Sequence, residues 1–236
     1  MPIDLRGNIV ESSDITSNGI FKKKVITDGL ICYLDAADEN SYSGSGTTWL
    51  DLTGNGYNGT FTGGVTFDGA INGGVIVTNG STGYIDVLTP SLASTGYTVM
   101  GGAKYVTTSS GTGRIFSARN NNWLMGWWNS TTENYYAEGW ITATGTGTLD
   151  TNWRIITATG EVSRDLYTLY VNGNATTTNN TGGSAGPNQF SLGRYAVGGG
   201  SEYSNAQISF FLVYNRVLER NEISQNFEAL RGRLSL

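Results

Sequence analysis

Residues 166–174 read LYTLYVNGN. Tyr167, Leu169 and Val171 fall on alternate positions, the period-two pattern of a strand that buries one face. Asn172-Gly173 follows at once, a dipeptide that tolerates the two positive φ angles of a type I′ turn. The stretch therefore reads as a strand turning into its antiparallel partner. Similar signals recur along the chain. In residues 67–87, FDGAINGGVIVTNGSTGYIDV, short Val/Ile/Tyr runs alternate with Asn-Gly and Gly-Gly turns. Residues 205–215, NAQISFFLVYN, are apolar on both parities, as expected of a strand near the centre of a sandwich. Short strands punctuated this regularly predict an all-β fold of two packed antiparallel sheets.

Composition agrees with strands joined by tight turns. The 236 residues include 34 glycines but only 3 prolines. Charged residues make up 14 %, and the formal net charge is −5. No basic patch is available to neutralise a phosphate backbone, so no nucleic-acid partner is expected. Histidine is absent, which removes Ser-His-Asp and Cys-His catalysis and imidazole metal ligation together. The single cysteine, Cys32, excludes an internal disulfide and a cysteine-based zinc site, and its place in LICYL suits a small buried hydrophobe. The N-terminus carries no basic and apolar leader pattern, and no apolar run is long enough to span a bilayer, so no membrane partner is expected. Triplets such as Asn58-Gly-Thr60 and Asn129-Ser-Thr131 read as turns rather than glycosylation sites.

Two segments depart from the strand pattern. In LERNEISQNFEALRGRL, residues 218–234, Ile223, Phe227 and Leu230 line one helical face. Glu219 and Glu222 near its start and Arg231 near its end complement the helix dipole, with Gly232 expected to end it as the C′ residue. Such a helix should cover the sandwich rather than carry chemistry. Residues 1–27 hold short apolar pairs and Lys22-Lys23-Lys24 but no periodic run. They read either as a flexible tail or as an N-terminal arm for assembly contacts, with Ile3, Leu5, Ile9, Val10, Ile20 and Phe21 as the arm's apolar candidates. Residues 28–236 then form the domain.

The acidic residues do not form a hydrolytic pair. Glycoside hydrolysis needs two carboxylates facing one bond, which on a strand appear two or four residues apart on one face. Asp35, Asp38 and Glu39 instead cluster in a loop, and Glu138 and Asp150 stand alone. Neither an enzyme nor a metal centre is expected. Asp35, Asp38 and Asn40 read as an Asx-rich turn, and Asp51 as a side chain tying down the loop DLTGN.

Residues 121–140, NNWLMGWWNSTTENYYAEGW, hold four of the six tryptophans. If 123–128 is a strand, Trp123, Met125 and Trp127 point one way, and Leu124, Gly126 and Trp128 the other. If 134–141 is its partner, Tyr135, Ala137, Gly139 and Ile141 share a face, opposite Tyr136, Glu138 and Trp140. One side must enter the core, and aromatics left outside mark a ligand site or a subunit interface. Trp127, Trp128, Tyr135, Tyr136 and Trp140 are the candidates for glycan stacking or an interface, beside the reading in which all of them are core or lie under loops.

GLICYLDAADENSYSGSGTTWLDLTGNGYNGTFTGG (29–64) resembles the opening of laminin-G-like, concanavalin A-type jelly-roll domains, in the form found in phage virion proteins. FLVYNRVLERNEISQNFEAL (211–230) is similar to that family's closing strand and helix. NNNWLMGW (120–127), YYAEGW (135–140) and TNWRIITATGEV (151–162) resemble the middle of the phage subgroup. The resemblance implies a two-sheet antiparallel jelly roll with one short C-terminal helix. It also implies a non-enzymatic virion structural protein, a capsid decoration or cement protein. Its partners would be capsid or other virion proteins and copies of itself, and its place the virion, assembled in the host cytoplasm. The alternative is a glycan-binding module of a tail fibre or receptor-binding protein, whose partner is a cell-surface glycan. No cofactor is expected. Calcium is the ion the laminin-G resemblance brings in, but Asn79 and Gly83 stand where relatives carry acidic residues.

Overall fold

The computed structural model describes residues 23–179 and 183–236. The arm candidates Ile3, Leu5, Ile9, Val10, Ile20 and Phe21 lie outside these residues. The first strands are β1 (Leu30–Asp35), β2 (Thr48–Trp49), β3 (Gly59–Thr62), β4 (Thr66–Asp68) and β5 (Val75–Val77). Next come β6 (Tyr84–Ser91), β7 (Gly96–Tyr105), β8 (Phe116–Ala118), β9 (Trp123–Trp128) and β10 (Thr131–Ala137). The last are β11 (Arg154–Glu161), β12 (Leu166–Val171), β13 (Asn174–Asn179), β14 (Asn188–Leu192) and β15 (Ala206–Tyr214), before helix α1 (Arg220–Leu230).

These strands form two antiparallel sheets packed as the expected sandwich. The larger, eight-stranded sheet runs β13-β12-β11-β7-β15-β5-β4, with β1 also paired to β15. The smaller, seven-stranded sheet runs β10-β9-β8-β14-β6-β3-β2. Asn172 and Gly173 have φ of 49° and 77° and join β12 to β13, the turn that the sequence LYTLYVNGN predicts. The Asn129-Ser130 pair, with φ of 46° and 66°, makes the equivalent turn between β9 and β10.

Between the sheets lies one continuous core. Phe211 stacks on Phe116 at 5.7 Å and meets Phe190 edge-on at 5.0 Å. β15 is apolar on both faces because both are covered. Phe211 and Val213 enter the sandwich interior. Phe210, Leu212 and Tyr214 face outward and join a second cluster with Ile223, Leu230 and Leu234. A capping box of Glu219 and Glu222 starts α1. The helix does not stop at Gly232. A 3₁₀ turn over Arg231–Leu234 continues it and buries Leu234, and Ser235 takes the left-handed conformation that ends it. Residues next to the arm boundary dock here too: the Ile26 N–H donates to Asn226 Oδ1 at 2.7 Å, and Tyr214 Oη donates to the Ile26 carbonyl at 2.9 Å.

Asp51 acts as the sequence suggests, whereas Asp35, expected in a loop, ends β1 and is buried. Asp51 accepts from the N–H groups of Tyr33, Thr53 and Tyr57 and from Thr53 Oγ1, pinning residues 51–57 to β1. Asp35 accepts from Tyr33 Oη at 2.8 Å and from Arg233 Nη1 at 2.6 Å. Asn79 Oδ1 accepts from the N–H groups of Ser81, Thr82 and Gly83, so a neutral side chain organises the turn where relatives carry acids. Cys32 is fully buried, and burial pushes its thiol pKa well up.

Two adjacent glycines let aromatic rings lie against β7 from both sides. A Cβ at Gly101 would sit 2.3 Å from the Phe116 ring, and one at Gly102 2.5 Å from the Phe210 ring. Gly101→Ala should therefore overpack the interior and lower the unfolding free energy by about 1–3 kcal/mol. The readout is a lower urea midpoint at unchanged slope, and an unchanged midpoint would contradict this packing. At the start of β11, Arg154 grips Asp150 with two parallel bonds of 2.7 and 2.8 Å and reaches Glu133 on β10 at 3.4 Å. Arg154 holds the Asp150 pKa down to about 2. A depressed carboxylate stabilises the fold above its unfolded pKa of ~3.9, and that contribution fades as pH falls through 2. Asp150→Asn should thus cost more stability at pH 6 than at pH 2 in matched urea titrations.

Candidate functional site

The outer faces of the two sheets differ. That of the larger sheet is covered by α1 and the segment before β1. Across the smaller sheet, register aligns Thr48, Thr60, Asp86, Ser191, Ser117, Leu124 and Tyr136 in one outward-facing row. Their inward neighbours, among them Trp49, Val87, Phe190, Trp123 and Tyr135, belong to the sandwich core.

Parity splits the five aromatic candidates. Trp127 is fully buried, edge-on to Phe116 at 5.8 Å and to Tyr105 at 6.5 Å. Tyr135 is also fully buried, with its hydroxyl 2.6 Å from that of Tyr97. Both are core residues and cannot stack on a ligand, which corrects their place among the site candidates. Trp128, Tyr136 and Trp140 are half-buried and form one outward cluster, with Trp140 at 5.0 Å from Trp128 and 5.1 Å from Tyr136. β10 begins at Thr131 and stops at Ala137, short of the expected residue 141. Glu138, with φ of 56°, turns the chain so that Trp140 returns beside Tyr136 in an isolated bridge. Trp140 therefore joins the cluster through a turn and not through strand alternation. A bulge between Thr131 and Asn134 completes the hairpin, where the buried Asn134 amide donates to the Gly126 carbonyl at 3.1 Å and to Thr131 Oγ1 at 2.7 Å.

The segment 193–204 arches over the middle of this face, where Ser117, Ser191 and Leu124 are buried although they point outward. Ser117 Oγ donates to the Arg194 carbonyl at 2.8 Å, and paired backbone bonds between Tyr195 and Ser201 close the arch. Beneath it lies Arg114, only 5 % exposed. Its Nε donates to Glu202 Oε2 at 2.7 Å, its Nη1 donates to Asn122 Oδ1 at 2.7 Å, and the Tyr195 ring lies 4.1 Å away over the guanidinium. Glu202 sits on the arch with φ of 48°. One of its oxygens is fixed by the arginine, which orients the carboxylate as an acceptor. A groove of about 440 Å³ opens beside it, lined by Thr112, Trp128, Asn129, Glu202, Tyr203 and nearby glycines. Trp128 is thus both a wall of the groove and a member of the aromatic cluster. Sequence reasoning missed Arg114, Glu202 and Tyr203. The two ion-pair partners are 88 positions apart, and only the glycine-rich run before Ser201 marks the arch.

The family model described as the concanavalin A-like lectin/glucanases superfamily matches residues 79–224, more than half of the chain. The chain belongs to this superfamily. No curated protein matches it. Among solved structures, domain 4 of AbnA, a GH43 extracellular arabinanase from Geobacillus stearothermophilus solved in complex with arabinotriose, superposes with a TM-score of 0.59. The match is 20 % identical and covers 84 % of this chain and 97 % of that domain. The binding domain of Paraclostridial Mosquitocidal Protein 1 gives a TM-score of 0.60 at 16 % identity, covering 85 % of this chain and 52 % of that one. Trypanosoma rangeli sialidase in complex with 2,3-difluorosialic acid gives 0.63 at 16 % identity, covering 92 % of this chain and 36 % of the sialidase. This superfamily chain therefore spans about half of the toxin domain and a third of the sialidase. These likenesses support the concanavalin A-like sandwich.

Within this superfamily domain, Arg114 anchors the arch to the sheet. Arg114→Ala leaves Glu202 and Asn122 without their charged donor and should lower the unfolding free energy by about 1.5–3 kcal/mol. Arg114→Lys, which retains charge but not the fork, should recover only part of it. Equal stability of all three proteins in urea would show that the arch is not held this way.

Proposed function

We propose that the domain is a non-catalytic glycan-binding module that uses the outer face of the smaller sheet. The observation that carries this reading is the placement of Trp128, shared by an outward aromatic cluster and a groove with an arginine-held carboxylate. Sugars present apolar C–H faces and a rim of hydroxyls. They are recognised by flat rings beside a few fixed polar groups, and this site supplies both. Trp128, Trp140 and Tyr136 offer the rings, and Glu202, Asn129, Thr112 and Tyr203 line or neighbour the polar side. The complex of the arabinanase domain with arabinotriose lends support from a similar fold. Two carboxylates of the face, Asp86 and Glu202, are each tied to an arginine, and Glu138 accepts the Asn122 N–H at 2.7 Å. That arrangement suits orientation of hydroxyls better than proton transfer, so we read the module as a binder and not as a glycosidase.

A second reading is a decoration or cement role on a phage capsid. The resemblance of residues 29–64 and 211–230 to virion proteins favours it, and the same aromatic cluster suits a subunit contact. In that reading the partners are capsid proteins and further copies of the chain. Glycan arrays and sedimentation with purified capsids separate the two. The glycan module binds array members, does not co-sediment with capsids, and loses at least tenfold in affinity in Trp128→Ala and Trp140→Ala while keeping its unfolding midpoint. Trp127→Ala, in contrast, should cost about 3–5 kcal/mol of stability. Capsid binding with no glycan signal would replace the first reading by the second.

A further inference from the structure

Arg119 and Arg194 also stand on the smaller sheet's outer face, on the other side of the arch from Trp128. Both are directed at one carboxylate. Arg119 Nε donates to Asp86 Oδ2 at 3.0 Å, and Arg194 Nη2 lies 3.5 Å from Asp86 Oδ1. Ser191 Oγ donates to the same Oδ1 at 2.7 Å and takes a bond from Arg194 Nε at 3.0 Å. Asp86 is thereby fully engaged. Arg194 is further fixed by stacking on the Tyr84 ring at 3.3 Å. Among the described residues neither arginine has a second carboxylate within ion-pair distance. Two guanidinium groups against one carboxylate leave one positive charge in excess, in a chain whose net charge is −5.

That excess faces a hollow. Arg119, Asn120, Arg194, Ala196, Val197 and Gly198 enclose about 330 Å³, with no acidic side chain in the lining. The two arginines differ in state. Arg194 has a side chain only 12 % exposed, locked by Tyr84, Ser191 and Asp86, whereas that of Arg119 is 40 % exposed and, among the described residues, holds its far end through Asn120 alone at 3.3 Å. Arg194 is a fixed wall and Arg119 a reachable donor. The hollow also adjoins the sugar groove. A Cβ at Gly200 would lie 2.9 Å from Arg194 Nη1 and 3.0 Å from Tyr203 Oη, and Tyr203 lines the groove beside Trp128.

Resting on the glycan-binding reading, we infer that the ligand is an acidic oligosaccharide whose carboxylate or sulfate group is held by Arg119 and Arg194. Its neutral rings extend past Tyr203 towards Trp128. A guanidinium fork matches either anion, and the excess charge is unpaired until such a group arrives.

The test is a glycan array in which each neutral oligosaccharide is paired with its sialylated, uronate-containing and sulfated counterparts. The probes are the unmodified chain, Arg119→Ala, Arg119→Lys and Trp128→Ala, and titration calorimetry on the strongest hits follows at two salt concentrations. Binding should concentrate on acidic members, weaken as salt rises, fall at least tenfold in Arg119→Ala and return partly in Arg119→Lys. The exposed position of Arg119 keeps its variants folded, which unfolding midpoints verify. Equal binding of neutral and acidic members, or an Arg119→Ala affinity within twofold of the parent, overturns the acidic ligand and leaves glycan binding standing. Loss on acidic hits in Arg119→Ala but not in Trp128→Ala limits recognition to the anion and overturns the extended path past Tyr203. Absence of any glycan signal overturns both readings. Whether sialylated, uronate or sulfated members dominate identifies the source of the negative charge.

Discussion

A chain of hydrogen bonds crosses the sandwich interior and sets the register on which the outer face depends. Trp123 Nε1 donates to Tyr97 Oη at 3.1 Å, and Tyr135 Oη donates to the Thr159 carbonyl at 3.1 Å. With its own hydrogen committed to Thr159, Tyr135 must accept the one shared with Tyr97 at 2.6 Å. Trp123 and Tyr135 belong to the smaller sheet, Tyr97 and Thr159 to the larger, so the relay ties the β9–β10 hairpin across the core. Burial pushes both phenol pKa values up, which keeps them neutral and able to donate. In a dry interior each of these groups would be costly without its partner. A slip of one residue would break all three bonds and exchange the inner and outer sets of side chains. With Tyr135 fixed inward, Tyr136 must face out, opposite Leu124, and Trp128 and Trp140 assemble around it.

Much of this architecture was legible in the sequence because it rests on local rules. Asn172-Gly173 specified its turn, the alternation of Tyr167 and Leu169 specified a buried face, and the double-sided apolar run of β15 announced a strand covered on both sides. Parity also grouped Trp123, Met125 and Trp127 correctly on one side of β9. It did not say which side of the hairpin entered the core, because both parities carry large rings. Tyr97, 38 positions from Tyr135, settles that through a hydroxyl contact. Trp140 was placed with the right companions, but the chain reaches that position by the turn at Glu138. Gly232 looked like a helix stop, yet burial of Leu234 draws the chain through one more turn. The polar half of the site was not legible at all, since Arg114 and Glu202 meet only after the arch has closed over the sheet.

The two faces of the domain solve the same problem by different means. Helix α1 covers the larger sheet with apolar side chains, and its second core cluster is continuous with β15 and β7. The arch covers the smaller sheet with a few charged and aromatic contacts around Arg114. It leaves hollows on either side, where a helix would have filled the space. A polar cover held by a buried arginine keeps its shape without filling the surface beneath it, as the proposed binding role requires.

The docking of both ends of the folded body on α1 has a geometric consequence. Gln225 Nε2 donates to the Lys24 carbonyl at 2.9 Å, and Arg231 Nη1 donates to the Leu236 carbonyl, so the chain enters and leaves beside the same helix. That helix lies on the side of the sandwich opposite Trp128 and Arg119. Tethered through either end, the domain presents the outer face of the smaller sheet, where the proposed site lies, away from the point of attachment. Copies anchored side by side would all display that surface in one direction. Such vectorial display allows weak individual contacts to add through multivalency.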